Sequence, residues 1–287
     1  MAEPESLIDT LSLEAIEVNL FRGRDKDGRG RIFGGLVIAQ ALMAAYKTVE
    51  GRLCHSLHCY FIRPGDPSVP ILYDVDRSRD GKTFTTRRVT AIQHGQQIFN
   101  LAASFQVPED GLEHQDEMPN VPGPDDLEDE NKVRDKMMKG MPDAMREMAL
   151  RPRPIEMRPI DPTGFMGGGK KASVQDVWFR ATQPIGDDVV MNQVALAYAS
   201  DMSFLSTSMR PHAMGWQTPG LQSASLDHAI WFHRPTQFNE WHLYHQRSPS
   251  TSGGRGFNLG DIYTRDGKLV ASAVQEGLIR FRGPQEP

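Results

Sequence analysis

Cysteine is nearly missing: two in 287 residues, Cys54 and Cys59. Two thiols so close together cannot staple a small secreted scaffold, and they suit a reducing compartment. Long apolar runs are missing too. Nowhere do eighteen apolar residues follow one another, so no membrane span is expected. Excess positive charge is also absent, with 32 Lys and Arg against 37 Asp and Glu for a net −5. That balance argues against a nucleic-acid partner, because phosphate neutralisation supplies most of such affinity. The opening residues carry acids where a signal peptide wants Lys or Arg, and the closing ones carry no Ser-Lys-Leu and no lipidation signal. A cytoplasmic protein is the expectation.

What is present supports folding. Apolar residues make up 39% and charged residues 24%, enough for a real core and too apolar for wholesale disorder. The length suits one large unit or two compact ones. A diverged repeat favours two. Tyr60-Phe61-Ile62-Arg63-Pro64 returns 171 positions later as Trp231-Phe232-His233-Arg234-Pro235. A tyrosine follows each proline at the same distance, Tyr73 and Tyr244. Each half then shows a His94-Gly95 or Asp266-Gly267 turn between strand-like runs.

Between the halves, residues 109–130 hold ten acids and no Lys or Arg, and prolines are dense to residue 171. The composition predicts a solvated linker over 109–171, between an N-terminal unit at 1–108 and a C-terminal unit at 172–287. Within the linker, Asn131 to Leu150 reads as a short Met-rich surface helix.

Each half reads as strand, helix, then strands. The stretch Leu36 to Ala45 is apolar almost all round, and Val190 to Ser200 matches it in the second half. A helix without a polar face belongs inside something. Strand-like runs follow near 221–233, 240–247, 255–265 and 268–281. One long buried helix wrapped by a curved antiparallel sheet is the hotdog arrangement, so the expected fold is α+β, a double hotdog. A doubly wound parallel sheet would need strands and helices to alternate throughout.

Several motifs are discarded. Gly164 to Lys171 fits seven positions of a phosphate-binding loop, but Lys171 stands where Ser or Thr must hold magnesium, and no helix follows. Cys54, His55, His58 and Cys59 suggest zinc. In an extended strand, though, they split between faces, 54 with 58 and 55 with 59. His242 and His245 are weaker still. No metal or cofactor is expected. No Gly-x-Ser-x-Gly elbow occurs. Asp227 and His228 are adjacent in a strand and diverge, although either can pair at longer range.

A polar set remains inside second-half elements that otherwise look buried: Asp201, Ser225 and Gln275. Asp201 closes a helix that has no other acid after Val190. Burying an unpaired carboxylate or amide costs several kcal/mol, so such groups need partners. A structural hydrogen-bond network and a catalytic set are both open at this point. His58 is the next candidate for a base.

At these residues a resemblance becomes specific. The blocks running from Arg31 to Leu42, His55 to Asp66, Ala197 to Asp201, Ser225 to Pro235 and Val274 to Gly277 resemble the thioesterase II family of acyl-CoA thioesterases. The resemblance implies a double hotdog, a homo-dimer or higher homo-oligomer, and hydrolysis of medium- to long-chain fatty acyl-CoA to free acid and CoA. It also implies that Asp201, Ser225 and Gln275 together hold a water. A hotdog enoyl-CoA hydratase and a non-catalytic acyl-CoA-binding protein are the alternatives. The hydratase pattern wants an Asp and a His about five residues apart on one helix, and no histidine follows Asp201 before His212.

Overall fold

Thirteen strands form one antiparallel sheet in the computed structural model, which describes residues 6–25, 30–128, 130–139, 153–163, 169–216 and 218–283. The first half contributes α1 (Leu7–Leu11), β1 (Glu14–Glu17), β2 (Leu20–Gly23), α2 (Gly34–Tyr46), β3 (Leu53–Phe61), β4 (Ile71–Asp80), β5 (Phe84–Gln93) and β6 (Gln96–Gln106). After α3 (Glu130–Met137), the second half supplies β7 (Ile155–Pro159), β8 (Val174–Ala181), α4 (Val189–Ser200), β9 (Leu221–Ser225), β10 (Asp227–Phe232), β11 (His242–Ser252), β12 (Arg255–Thr264) and β13 (Leu269–Phe281).

The strands lie in the order β1-β2-β4-β5-β6-β3-β10-β13-β12-β11-β8-β7, and β9 pairs with β13. Each arm repeats the other outward from the central pair β3–β10. There His58 faces Ala229, and these two residues are 171 positions apart, the offset of the sequence repeat. A pseudo-twofold axis therefore passes between them. This is the double hotdog that the repeat predicts.

The two long helices fill the inside of the sheet because neither has a polar face. From Gly35 to Tyr46 only Met43 escapes full burial. α4 starts at Asp188, whose carboxylate accepts the Met191 N–H at 2.7 Å and satisfies one orphan donor of the first turn. The helices touch closely. A Cβ on Gly35 would lie 2.2 Å from the Tyr198 carbonyl oxygen, so that position admits only glycine. The repeated tyrosines each tie the sheet to a helix: the Tyr73 hydroxyl donates to Gln40 Oε1 at 2.9 Å, and that of Tyr244 to the Ser200 carbonyl at 3.0 Å.

Two expectations need correction. The segment 109–171 is not a loose linker. Ile155–Pro159 pairs with β8 and holds in the second half the place β1 holds in the first. Ahead of it, Met118, Val121 and Leu127 pack on Trp178, Trp241, Leu243 and Tyr263, on the sheet face away from the helices. Trp178 Nε1 donates to the Pro122 carbonyl at 2.8 Å, and Gln115 pairs with Gly267 and Leu269. Acidic composition hid a few well-spaced apolar anchors. Of the Met-rich helix, only α3 lies within the described residues.

The second correction concerns β3. A bulge between Cys54 and Ser56 shifts the alternation by one residue, so both cysteines face the core while His55 and His58 face out. His58 packs edge-on against Trp231 and is remote from the core. His242 and His245 part as strand neighbours three residues apart do: His242 is buried against Thr236, whereas His245 pairs outward with Asp176 at 2.8 Å. Among the described residues no His, Cys, Asp and Glu group converges as a metal site would. The discarded phosphate-loop segment lies outside the described residues at 164–168. No helix among the described residues is long and apolar enough to cross a membrane.

Candidate active site

Asp201, Ser225 and Gln275 come together. Gln275 Nε2 lies 2.6 Å from Asp201 Oδ1 and 3.3 Å from Ser225 Oγ, and Ser225 Oγ lies 3.5 Å from the same Asp201 oxygen. Three elements deliver them. Asp201 follows the last residue of α4, where its own N–H still bonds the Ala199 carbonyl. Ser225 ends β9, and Gln275 sits mid-strand in β13. β9 and β13 pair with Ser225 opposite Gly277, which holds Ser225 one step from Gln275.

The first half contributes a donor. The Gly35 N–H, in the first turn of α2, bonds the Asp201 carboxylate. A helix N-terminus favours an anion there. Burial pushes the Asp201 pKa above the usual Asp value, while the donors Gln275, Gly35 and Ser225 pull it back. The outcome is a poorly solvated carboxylate whose affinity for a proton exceeds that of an exposed one.

His228 is the residue that sequence reasoning did not place. Its ring is fully buried behind Gln275, with Nδ1 3.2 Å from Gln275 Nε2 and Nε2 3.0 Å from Ser200 Oγ. Burial lowers its pKa to about 3, so it is neutral. Asp227, its neighbour, points to the other face and accepts the Glu276 N–H at 2.7 Å. The long-range alternative for this pair is therefore the one realised, and the signal was only that one of two adjacent strand residues must face in.

Two polar side chains beside the set are incompletely matched. Gln275 Oε1 and both amide atoms of Asn258 are buried without a partner among the described residues, and Asn258 is the cross-strand neighbour of Gln275. Buried polar atoms are normally paired with protein or ordered water. The turn after Asp201 is braced separately: Gln246 Nε2 donates to Ser203 Oγ at 3.1 Å and Thr207 Oγ1 donates to Gln246 Oε1 at 2.8 Å.

The first half has no equivalent. At the positions 171 residues before Ser225 and His228 stand Cys54 and Leu57, and Ala103 holds the place of Gln275 on β6. Tyr46 occupies the space there, its hydroxyl donating to Gln193 and accepting the Cys54 N–H at 2.7 Å.

Comparison with known proteins gives the family context. A sequence profile of acyl-CoA thioesterases matches residues 151–278, and one of the acyl-CoA thioesterase N-terminal domain matches 24–106. The chain is 43% identical to acyl-CoA thioesterase 2 of Haemophilus influenzae over 278 residues, covering 96% of this chain and 97% of that one. An acyl-CoA thioesterase II structure from Mycobacterium marinum superposes with a TM-score of 0.79 at 41% identity, over 97% of this chain and 99% of that chain. A hot dog protein of unknown function from Alicyclobacillus acidocaldarius superposes with a TM-score of 0.76 at 19% identity, over 96% and 98% of the two chains, and speaks for the fold alone.

Proposed function

This chain belongs to the acyl-CoA thioesterase family and hydrolyses acyl-CoA thioesters, and from that premise we propose that Asp201, Ser225 and Gln275 hold the attacking water. The observation that carries this reading is the convergence of a half-buried carboxylate, a hydroxyl and an amide within 3.5 Å of one another.

A thioester carbonyl is electrophilic and a thiolate leaves readily, so a well-placed water suffices. Asp201 takes the proton as water adds to the carbonyl carbon. Ser225 and Gln275 fix the water's orientation, which removes most of the entropic cost of the encounter. The positive end of α2 points at the same place and favours the developing oxyanion. Collapse of the adduct expels CoA thiolate, which takes up the proton.

Half-buried Ile32, Phe33, Phe61, Tyr198 and Met202 pack against the core near the start of α2 and the end of α4. They support a medium- to long-chain acyl group as the substrate. Cytoplasmic residence and a homo-dimer or larger homo-oligomer belong to the same proposal and rest on the resemblance. We also place the start of the second repeat at β7, which sits opposite β1 in the sheet order.

The test is CoA release from palmitoyl-CoA, followed with a thiol reagent while intact-protein mass is recorded during turnover. Steady thiol release without an acyl adduct is the expected result. Ser225→Thr keeps the hydroxyl and much of the rate, and Ser225→Ala loses roughly ten- to two-hundred-fold. An acyl mass on the peptide containing Ser225 would make Ser225 the nucleophile and overturn the oriented-water reading.

A further inference from the structure

His228 sits one bond beyond the proposed set, and its hydrogen-bond directions are fixed. The Ser200 hydroxyl donates to the Ala197 carbonyl at 2.9 Å, so the hydrogen between Ser200 and His228, 3.0 Å apart, belongs to the histidine Nε2. A neutral ring with its hydrogen on Nε2 leaves Nδ1 as an acceptor. That acceptor lies 3.2 Å from Gln275 Nε2, and Asp201 Oδ1 lies 2.6 Å from the same nitrogen. Reversing the amide would set Oε1 against two acceptors. Gln275 Oε1 therefore faces away from both, and it has no partner among the described residues.

We propose that His228 is a positioning residue for hydrolysis, locking the Gln275 carboxamide so that Oε1 accepts the second hydrogen of the attacking water. Asp201 then takes the first hydrogen as a proton, and the oxygen lone pair is left for the thioester carbonyl. The inference rests on the proposed roles of Asp201, Ser225 and Gln275.

Asp201 alone locks the amide only while ionised. Once protonated, its O–H can donate to Oε1 of a reversed amide. His228 removes that option because it remains an acceptor throughout the working range. The groups facing it from other elements do not interfere. Cys59 on β3 donates its Sγ–H to the His228 carbonyl at 3.1 Å, and Tyr244 on β11 donates to Ser200. Burial raises both of their pKa values well above the ordinary ones, and Phe204 closes the remaining side of the ring. Asp227 lies on the opposite face of β10.

The experiment uses full-length His228→Leu, His228→Asn and His228→Gln, with palmitoyl-CoA turnover measured across pH 5–9 and thermal melting as the fold control. Leucine packs at this place in the fold, because fully buried Leu57 occupies the matching position in β3. His228→Leu is expected to lower kcat about ten- to a hundredfold with little change in KM. Its acid limb should also move to higher pH, since a reversed amide stabilises protonated Asp201. Asparagine puts an acceptor where Nδ1 stood and is expected to recover most of the rate and the limb. Glutamine reaches Ser200 instead and should be as slow as leucine. Wild-type kcat in His228→Leu overturns the proposal. So does a loss that leaves the acid limb in place and is not recovered by asparagine. If leucine does not fold, equal rates for asparagine and glutamine overturn it. Asp201→Asn run alongside separates the failures: full turnover there sinks the site reading itself, whereas an inactive Asp201→Asn beside a fully active His228→Leu sinks this inference alone.

Discussion

The Gly35 amide in the first turn of α2 donates to the Asp201 carboxylate at the end of α4, so a helix from each half meets at one point. Gly34 also lies against the carboxylate. A Cβ placed on it would stand 2.7 Å from Asp201 Oδ2 and 3.0 Å from the Phe61 ring. The paired glycines are therefore needed for different reasons, Gly34 to leave room for the carboxylate and Gly35 to let the two helices touch.

That difference is measurable. Gly34→Ala pushes Asp201 aside by a fraction of an ångström and is expected to lower kcat by about ten- to a hundredfold while the protein still melts cooperatively. Gly35→Ala meets backbone, the Tyr198 carbonyl, and is expected to destabilise the whole fold. A Gly34→Ala variant with wild-type kcat would show that the carboxylate has slack, and a stable Gly35→Ala would show that the helices do.

Activity is expected to fall on the acid side above the ordinary Asp value of 3.8, because burial raises the Asp201 pKa and the base works only when ionised. His228, whose pKa burial lowers to about 3, does not itself titrate in that limb. Ser225 donates to the carboxylate, so Ser225→Ala removes support for the ionised form and should move the limb to still higher pH. A kcat profile of the two proteins decides it. Movement to lower pH contradicts the assignment of Asp201 as the base.

The strap over the outer face makes a prediction about stability. Replacing Val121 and Leu127 with Ser uncovers Trp178, Trp241, Leu243 and Tyr263. Two partly buried apolar side chains lost from such a contact correspond to about 1–3 kcal/mol in all. The double variant should therefore melt several degrees lower, with kcat close to wild type, since Val121 and Leu127 pack on the outer face of the sheet, away from the site. An unchanged melting temperature would return the segment to the status of a loose linker.

The fold was legible mainly because the chain repeats itself. Tyr60 to Pro64 and Trp231 to Pro235 mark β3 and β10 and the turns after them, and the uniformly apolar helices announce their own burial. β7 was not legible, since Ile155–Pro159 lies among prolines and charges and becomes a strand only because the edge of β8 is there to pair with. The β3 bulge was equally hidden, because strict alternation has no local sign for one extra residue.

For the site, burial of a polar side chain was a partial guide. Gln40 and Gln275 are both fully buried amides, yet Gln40 spends every polar atom on Thr10, Arg24 and Tyr73. Gln275 keeps Oε1 unmatched beside a carboxylate. Only three-dimensional partners separate the structural amide from the functional one. His228 was obscured for a related reason: adjacency to Asp227 drew attention to a pair that the strand geometry pulls apart, while its true partners lie 28 and 47 positions away.

The most direct measurement is the turnover of Asp201→Asn on saturating palmitoyl-CoA, with thermal melting as the control for folding. Asparagine keeps the shape of the side chain and removes the proton acceptor. The expected kcat is lower by about 10²–10⁴-fold in a protein that still melts cooperatively, as loss of a general base entails. A folded Asp201→Asn that turns over within about threefold of wild type would contradict it, because losing a base that takes the proton from water costs far more than that.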